Sequence, residues 1–199
     1  MSKWESKEKR VEDIVNAAVE IFLEKGYEGA SMQAIAQRAQ ISKGGLYHHF
    51  RSKEEILYYA NEKLSEPIYL HVQNAMSNPD VIDGIKFYIR SYIEHWMMHQ
   101  KELTFFFLTM TKALSCPDMW NIYEDYFNKM EGFLTGLFKK GIQEERFIEH
   151  NARDSSITLL SALDGILVYL IMNRELNPDE IIQSFEEKFV TSIIYKKEK

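Results

Sequence analysis

The sequence predicts an all-α protein of about nine helices, with a three-helix N-terminal head and a larger helical C-terminal body. Apolar residues recur three and four positions apart through most of the 199 residues, which is the spacing of a helical face. Residues that favour helix N-termini stand before these runs, notably Ser31, Ser42 and Ser52, and two Asn-Pro-Asp sequences at 78–80 and 177–179. Apolar residues make up 45% of the chain, which is enough to build a core.

Residues 31–53 differ from the rest of the chain in charge, because they contain no Asp or Glu while the whole chain carries a formal net charge of −6. Residues 32–39 form one short helix with an apolar face, and Ser42 begins a second whose Leu46 and Phe50 point inward. Two short helices joined by a tight turn, with a basic outer surface, indicate a helix-turn-helix whose second helix enters the major groove of DNA.

Residues 17–57 also resemble the N-terminal DNA-binding region of TetR-type transcriptional repressors, most specifically in the segment ISKGGLYHHFRSKEEIL at 41–57. The resemblance implies a repressor that a small molecule releases from a palindromic DNA operator, and the aromatic side chains of the later helices predict that this molecule is bulky and apolar. One position departs from the family, because Gln40 stands in the turn where relatives often have Gly. A non-Gly residue at positive φ costs roughly 1 kcal/mol, so we expect a turn of different geometry.

The second short helix supplies most of the predicted DNA contacts. Its first amides and Ser42 are expected to bind a phosphate, and Lys43 is expected to contact a base. Tyr47 and Lys53 are expected to contact the DNA backbone. Two consecutive glycines weaken a helix by about 1 kcal/mol each, which favours a close approach to DNA as their reason. The predicted set, in which Ser31 and Gln33 follow from the resemblance, is Ser31, Gln33, Ser42, Lys43, Gly44, Gly45, Tyr47, His48 and Lys53.

The first helix is predicted over about residues 7–25 and is expected to end at Gly26. The polar segment 3–10 before it is either an arm that reaches phosphates or the minor groove, or a plain polar terminus. His49 fits packing against the head as well as it fits a DNA contact.

Charge divides the chain at about the end of the basic stretch. Residues 1–53 carry nine Lys and Arg against seven Asp and Glu, a balance of +2, whereas residues 54–199 carry fifteen against twenty-three, a balance of −8. We therefore predict a DNA-binding domain at 1–53 and an effector-binding and dimerisation domain at 54–199. Acidic helices exposed to water on the protein surface would explain the balance of −8 in residues 54–199 equally well.

Pro67 interrupts the fourth helix, which leads from head to body. An interior proline costs about 3 kcal/mol, so the helix either stops at Glu66 or kinks there. A kink would serve as a hinge between the DNA-binding head and the effector site.

Two later helices are unusually apolar. The sixth, LTFFFLTMTKAL, is expected to expose no side to water, and the eighth, at 153–174, is apolar nearly all round and needs neighbours on both faces. A ninth helix that begins at Asn177 offers a further apolar stripe. Helices 8 and 9 of two subunits would form a four-helix interface, as the resemblance also implies, so a homodimer is predicted.

Aromatic and Met side chains on helices 5 to 8 are expected to line an apolar effector cavity, although aromatic stripes also build ordinary cores. Asp164 and Glu94 are candidate contacts for a cationic ligand, and Asp164 can instead form a hydrogen bond across a dimer. The predicted ligand-binding set is Trp96, Phe106, Met110, Trp120, Tyr123, Phe127, Asp164 and Tyr169.

Two other functions compete with DNA binding. His95 and His99, one helical turn apart after Glu94, suggest a zinc enzyme, but the H-E-x-x-H order and a third ligand are missing. A helical adaptor that binds another protein is the second alternative. We predict no catalytic residues, no metal site and no cofactor.

The expected compartment is the cytoplasm. A single cysteine, Cys116, cannot form an intramolecular disulfide, and the N-terminus lacks the apolar stretch of a signal peptide. No segment reaches 18 uncharged apolar residues, which argues against a membrane span.

Overall fold

The computed structural model describes residues 3–114 and 117–196, and of residues 3–7, 117, 118 and 122 it describes the backbone alone. The described residues form nine α-helices and one short 3-10 turn, which confirms the predicted all-α class. The helices are α1 Lys3–Gly29, α2 Met32–Arg38, α3 Lys43–His49, α4 Lys53–Ser77, α5 Val81–Met98, α6 Gln100–Ala113, α7 Pro117–Gln143, α8 Ala152–Met172 and α9 Pro178–Phe189.

The chain divides into two compact units. The first unit comprises Met1–Glu66 and Lys101–Tyr123, and the second comprises Pro67–Gln100 and Glu124–Lys199. These units are defined by contacts within the chain, whereas the predicted boundary after residue 53 concerns function. The functional division into 1–53 and 54–199 therefore remains a proposal.

The first unit has a core in which α2 packs against both α1 and α3. Ile14, Phe22, Ile35 and Leu46 are fully or almost fully buried, and the rings of Phe22 and Phe105 stack with centroids 5.5 Å apart. The first helix begins at Lys3, earlier than predicted. Gly26 leaves the helical conformation at φ 69°, as its predicted role as a terminator requires, and α1 continues briefly to Gly29.

The turn between α2 and α3 corrects one prediction. Gln40 adopts φ 55°, in the left-handed region, so the turn keeps positive φ at this position instead of changing its geometry. Its own amide and the next one along the chain hold it there, because Gln40 N donates to Gln37 O at 3.1 Å and Ile41 N donates to Ala36 O at 2.9 Å. The turn's hydrogen bonds offset the roughly 1 kcal/mol that a non-Gly side chain costs there.

The fourth helix decides between the two alternatives predicted at Pro67, because α4 does not stop at Glu66 but continues through Pro67 to Ser77. Ser52 Oγ accepts a hydrogen bond from Glu55 N at 3.2 Å, as expected of a residue that begins a helix. The Glu55 carboxylate accepts from Arg51 N at 2.6 Å, one residue before the expected cap. The boundary between the two compact units falls at Pro67.

The sixth helix was predicted to expose no side to water, and this prediction is wrong. Leu103, Phe105 and Phe106 are buried, but the Leu108 side chain is 65% exposed. A helix of 14 residues within the first unit buries one face, and its other face keeps the apolar residues that the sequence places there. Cys116, which as the single cysteine was predicted to form no intramolecular disulfide, lies outside the described residues.

In the second unit α5 packs against α8 and α9. Leu159, Leu163 and Leu167 form the inner row of α8 and are fully buried, whereas Val168, Tyr169 and Met172 face outward and are 41%, 67% and 80% exposed. Asn177 caps α9 by accepting from Asp179 N at 2.9 Å, and Pro178 is the first helical residue, as predicted. The second apolar face of α8 is therefore uncovered in the single chain.

The eighth helix is also long and apolar enough to cross a membrane if its few charged residues are tolerated. Only 28% of its most apolar window is buried within the chain. An apolar helix that packs against protein on both faces has the same length and composition.

Candidate DNA-binding site

Two serines fix the starts of the short helices. Ser31 Oγ accepts a hydrogen bond from Ala34 N at 3.2 Å, and Ser42 Oγ accepts from Gly45 N at 3.0 Å. Each hydroxyl thus satisfies an amide that the first helical turn leaves free, as predicted for Ser42. Gln33 lies exposed in the first turn of α2. The remaining amides at the start of α3 stay available to an anion.

The outer face of α3 carries four exposed residues, Lys43, Gly44, Tyr47 and His48. Leu46 and Phe50 on the opposite face are buried and hold the helix to the first unit. The Lys43 ammonium lies 5.9 Å from the centre of the Tyr47 ring, within cation–π range, so these two side chains stand together on the exposed face. The His49 ring is partly buried and meets His48 edge to face at 5.4 Å.

The two glycines of α3 have different surroundings. A Cβ on Gly45 would lie 3.2 Å from Ser42 Oγ, which is a tight contact with the cap. A Cβ on Gly44 would meet no atom within 4 Å. Packing within the chain therefore accounts for a glycine at 45, whereas at 44 it leaves room for a larger side chain.

The Lys53 side chain is already bonded within the chain. A side chain that served only to hold the DNA backbone would be free of such bonds. Its Nζ donates to Tyr27 O at 2.8 Å and to Ala30 O at 3.1 Å, and it lies 4.2 Å from the centre of the Tyr27 ring. An ammonium has three donors, so one remains for a phosphate. Tyr27 OH also donates to Glu54 Oε1 at 2.6 Å, and this bond lowers the pKa of Glu54. Lys53 thus joins the start of α4 to the end of α1.

Arg38 contributes less positive charge to the basic stretch than the sequence suggests. Its guanidinium donates to Glu20 at 2.6 Å and to Glu24 at 2.9 Å, both on α1. The hydrogen bond from Arg38 lowers the pKa of Glu24. The positive charge that no acidic side chain neutralises on the outer face of α3 therefore comes from residues in and around that helix, above all Lys43.

We expect Lys53→Met to lower the free energy of unfolding by about 1 to 3 kcal/mol, because two carbonyl groups lose a charged hydrogen-bond donor. Urea denaturation followed by circular dichroism measures this loss. Lys43→Met is the matched control, since the exposed Lys43 side chain makes no such bond and its removal should change stability by no more than about 0.5 kcal/mol. Equal stabilities for the two variants would show that Lys53 has no structural role.

The predicted effector residues are divided between the two units. In the first unit Phe106 and Tyr123 are buried, Met110 is partly buried, and Trp120 is 49% exposed. Tyr123 OH donates to Thr109 Oγ1, and burial raises the pKa of Tyr123 to about 12. The exposed Trp120 ring does not have the environment of an enclosed cavity wall.

In the second unit Trp96 is almost fully buried, while Phe127 and Tyr169 are exposed. Asp164 Oδ1 accepts a hydrogen bond from Tyr92 OH at 2.6 Å, so its partner is in the same chain. Tyr88, Tyr92 and Tyr126, which surround this carboxyl group, were not predicted as site residues. In the sequence these tyrosines have the spacing of ordinary core residues. Only the packing of α5 against α8 shows that they lie near Asp164.

The histidine pair suggested for zinc has a different arrangement. The rings of His95 and His99 stack with centroids 4.3 Å apart, and Glu94 pairs with Arg90 at 3.3 Å. Across residues 3–114 and 117–196, no three His, Cys, Asp or Glu side chains come together as a metal-binding group.

Comparison with known proteins identifies the family. Residues 14–60 match the family of bacterial regulatory proteins of the tetR type. The Transposon Tn10 TetC protein of Escherichia coli is 30% identical over 168 residues, which cover 82% of this chain and 79% of TetC. The chain belongs to the TetR family. The resemblance seen at residues 17–57 is thereby confirmed.

Two further comparisons extend over most of the chain. The HTH-type transcriptional regulator YerO of Bacillus subtilis is 26% identical over 182 residues, and the match covers 87% of this chain but only 61% of YerO. The structure of the fatty acid degradation regulator FadR from Bacillus halodurans superposes with a TM-score of 0.73 at 18% identity, over 91% of this chain and 94% of FadR. The second likeness concerns the fold alone. YerO is named as a transcriptional regulator, which favours DNA binding over a zinc enzyme.

Proposed function

We propose that this TetR-family chain is a ligand-responsive DNA-binding transcriptional regulator, and specifically a repressor that a bulky apolar small molecule releases from a palindromic operator. The observation that carries the proposal is the outer face of α3. Lys43, Gly44, Tyr47 and His48 are exposed together there, while buried Leu46 on the inner face holds the helix in place. That is the arrangement of a recognition helix in a helix-turn-helix protein.

Each residue of the face has a role in this proposal. The free amides at the start of α3 and the partial positive charge of the helix end bind a phosphate. Lys43 donates to base acceptors in the major groove, and Gly44 lets the helix backbone approach the bases. Tyr47, His48, Ser31 and Gln33 contact the phosphates beside that groove. Lys53 adds its remaining donor from the start of α4.

We further propose that the regulator is a homodimer formed through α8 and α9. The support is the outer face of α8, where Val168, Tyr169 and Met172 are exposed although the helix is apolar nearly all round. A four-helix interface would cover this face. The two recognition helices would then meet half-sites about 34 Å apart, one turn of DNA, in the cytoplasm where bacterial operators lie.

Effector control is proposed to pass along α4, between a DNA-binding domain at 1–53 and an effector domain at 54–199. The support is that α4 is one helix with residues in both units and Pro67 at their boundary. A proline lacks the amide hydrogen of a normal helical residue, so Pro67 is the position where α4 bends at least cost. Among the proposed ligand contacts, Phe106 and Tyr123 are the buried ones of the first unit, and Trp96 is the buried one of the second unit.

We expect Lys43→Ala to relax sequence preference at one operator base pair by about 1 to 3 kcal/mol while leaving the fold intact. The measurement is binding of the variant to operator duplexes that carry each substitution in turn, at one fixed salt concentration. Lys139→Ala, an exposed lysine of α7 in the second unit, is the control for simple loss of charge. An unchanged base preference in Lys43→Ala would remove Lys43 from the reading face.

A further inference from the structure

The first unit carries an open groove of about 560 Å³, with residues of α1 on one side and residues of the first half of α4 on the other. Its apolar lining consists of Val11 and Val15 from α1 and the ring of Tyr59 from α4. The Tyr59 side chain is 43% exposed, so its ring is open to a ligand. Phe50 and Tyr58 meet that ring edge to face at 5.5 Å and 5.4 Å and hold it in place.

Charged side chains complete the lining of the groove. Glu8, Glu12 and Glu66 lie there with one ammonium group, that of Lys63, which leaves a surplus of two negative charges. All three carboxylates are exposed. Glu12 pairs with Lys63, whereas Glu8 and Glu66 form no ion pair with any side chain that the structure describes. The groove is therefore apolar in its lining and negative in its charge.

The Lys63 ammonium is the cation that the chain itself places in this groove. Its Nζ lies 3.7 Å from Glu12 Oε1, which is longer than a charge-assisted hydrogen bond. The two side chains are 36% and 66% exposed, and ion pairs as exposed as this contribute little free energy. A cationic ligand can therefore displace Lys63 from Glu12 at small cost.

The size of the groove favours a small molecule over a partner protein. Its volume lies within the range of about 300 to 1,000 Å³ that is typical of small-molecule sites. At a rise of about 1.5 Å per residue, residues 8–15 of α1 and 59–66 of α4 each extend for only about 10 Å. A compact molecule fits this length, whereas a bound helix would extend beyond it at both ends.

We propose that the groove between α1 and α4 binds a lipophilic organic cation. Val11, Val15 and Tyr59 contact its apolar body, and the Tyr59 ring also attracts its positive charge. Glu8 and Glu66 supply the counter-charge. None of the proposed effector contacts lines this groove, so it is a second ligand site. Cation binding here does not depend on the proposed function, because no DNA contact is involved.

The test is isothermal titration calorimetry of the full chain at low salt with two probes of the same shape and opposite charge, tetraphenylphosphonium and tetraphenylborate. We expect the unmodified chain to bind the phosphonium about tenfold more tightly than the borate, because the groove is negative. The double variant Glu8→Gln/Glu66→Gln should lose most of this preference. The matched control is Glu149→Gln/Glu175→Gln, which removes two exposed carboxylates from the second unit and should keep the preference.

Lys63→Gln is expected to change the affinity in the opposite direction. It should bind the phosphonium about threefold more tightly than the unmodified chain, because the chain's own ammonium no longer competes for Glu12. Added salt should reduce the preference for the phosphonium, since these charges are exposed. Equal affinity of the unmodified chain for the two probes, or an undiminished preference in Glu8→Gln/Glu66→Gln, would overturn the proposal.

Discussion

Leu163→Arg is expected to unfold the second unit, whereas Tyr169→Arg is expected to leave a folded monomer. Leu163 is fully buried against its own chain, so an Arg there places an unpaired charge in the core at a cost of several kcal/mol. Tyr169, six residues later on the same helix, is 67% exposed on the face proposed to meet the partner. Sedimentation velocity measures the mass, and urea denaturation measures the free energy of unfolding.

The control for that pair is Gln143→Arg, which adds the same charge at the exposed end of α7. It should stay dimeric and fold normally. A dimer that persists in Tyr169→Arg would place the subunit contact on another surface, and a stable Leu163→Arg would contradict the inner position of that side chain.

Gly44→Ala is expected to make the protein more stable and a weaker DNA binder at once. Alanine favours a helix by about 1 kcal/mol over glycine, and a Cβ at this position meets no atom of the chain within 4 Å. On DNA the same methyl group would separate the recognition helix from the base edges and cost at least about 1 kcal/mol, or roughly fivefold in affinity. Thermal unfolding and operator binding are measured on the same sample.

Gly136→Ala serves as the matched control for Gly44→Ala. Gly136 lies within α7 in the second unit, and a Cβ there also meets nothing within 4 Å. The stabilisation should be similar and operator affinity should not change. If both alanine variants bind the operator as well as the unmodified chain does, Gly44 does not approach the DNA.

Local features of the fold were predictable because their partners lie close in sequence. The cap at Ser42 requires an amide three residues away, and the cap at Asn177 requires one two residues away. The all-α class followed from the same short spacing of apolar residues. The continuation of α4 through Pro67 was not predictable, because tertiary contacts on both sides decide whether a helix keeps an interior proline.

The charged and polar side chains required the three-dimensional structure. Arg38 is neutralised by acids 14 and 18 residues earlier, and Lys53 donates to carbonyl groups more than twenty residues earlier. Asp164 meets Tyr92 across 72 residues. A sequence identifies such side chains by type, but the packing of helices decides whether each one faces a partner or remains available to DNA or a ligand.

Fluorescence anisotropy with two labelled duplexes, one from the chain's own promoter region and one scrambled, tests sequence-specific DNA binding directly. We expect a dissociation constant about 10³-fold lower for the promoter duplex at physiological salt, with affinity for both duplexes falling steeply as salt rises. Equal affinity for the two duplexes, or no binding to either at low salt, would contradict a role as a DNA-binding regulator.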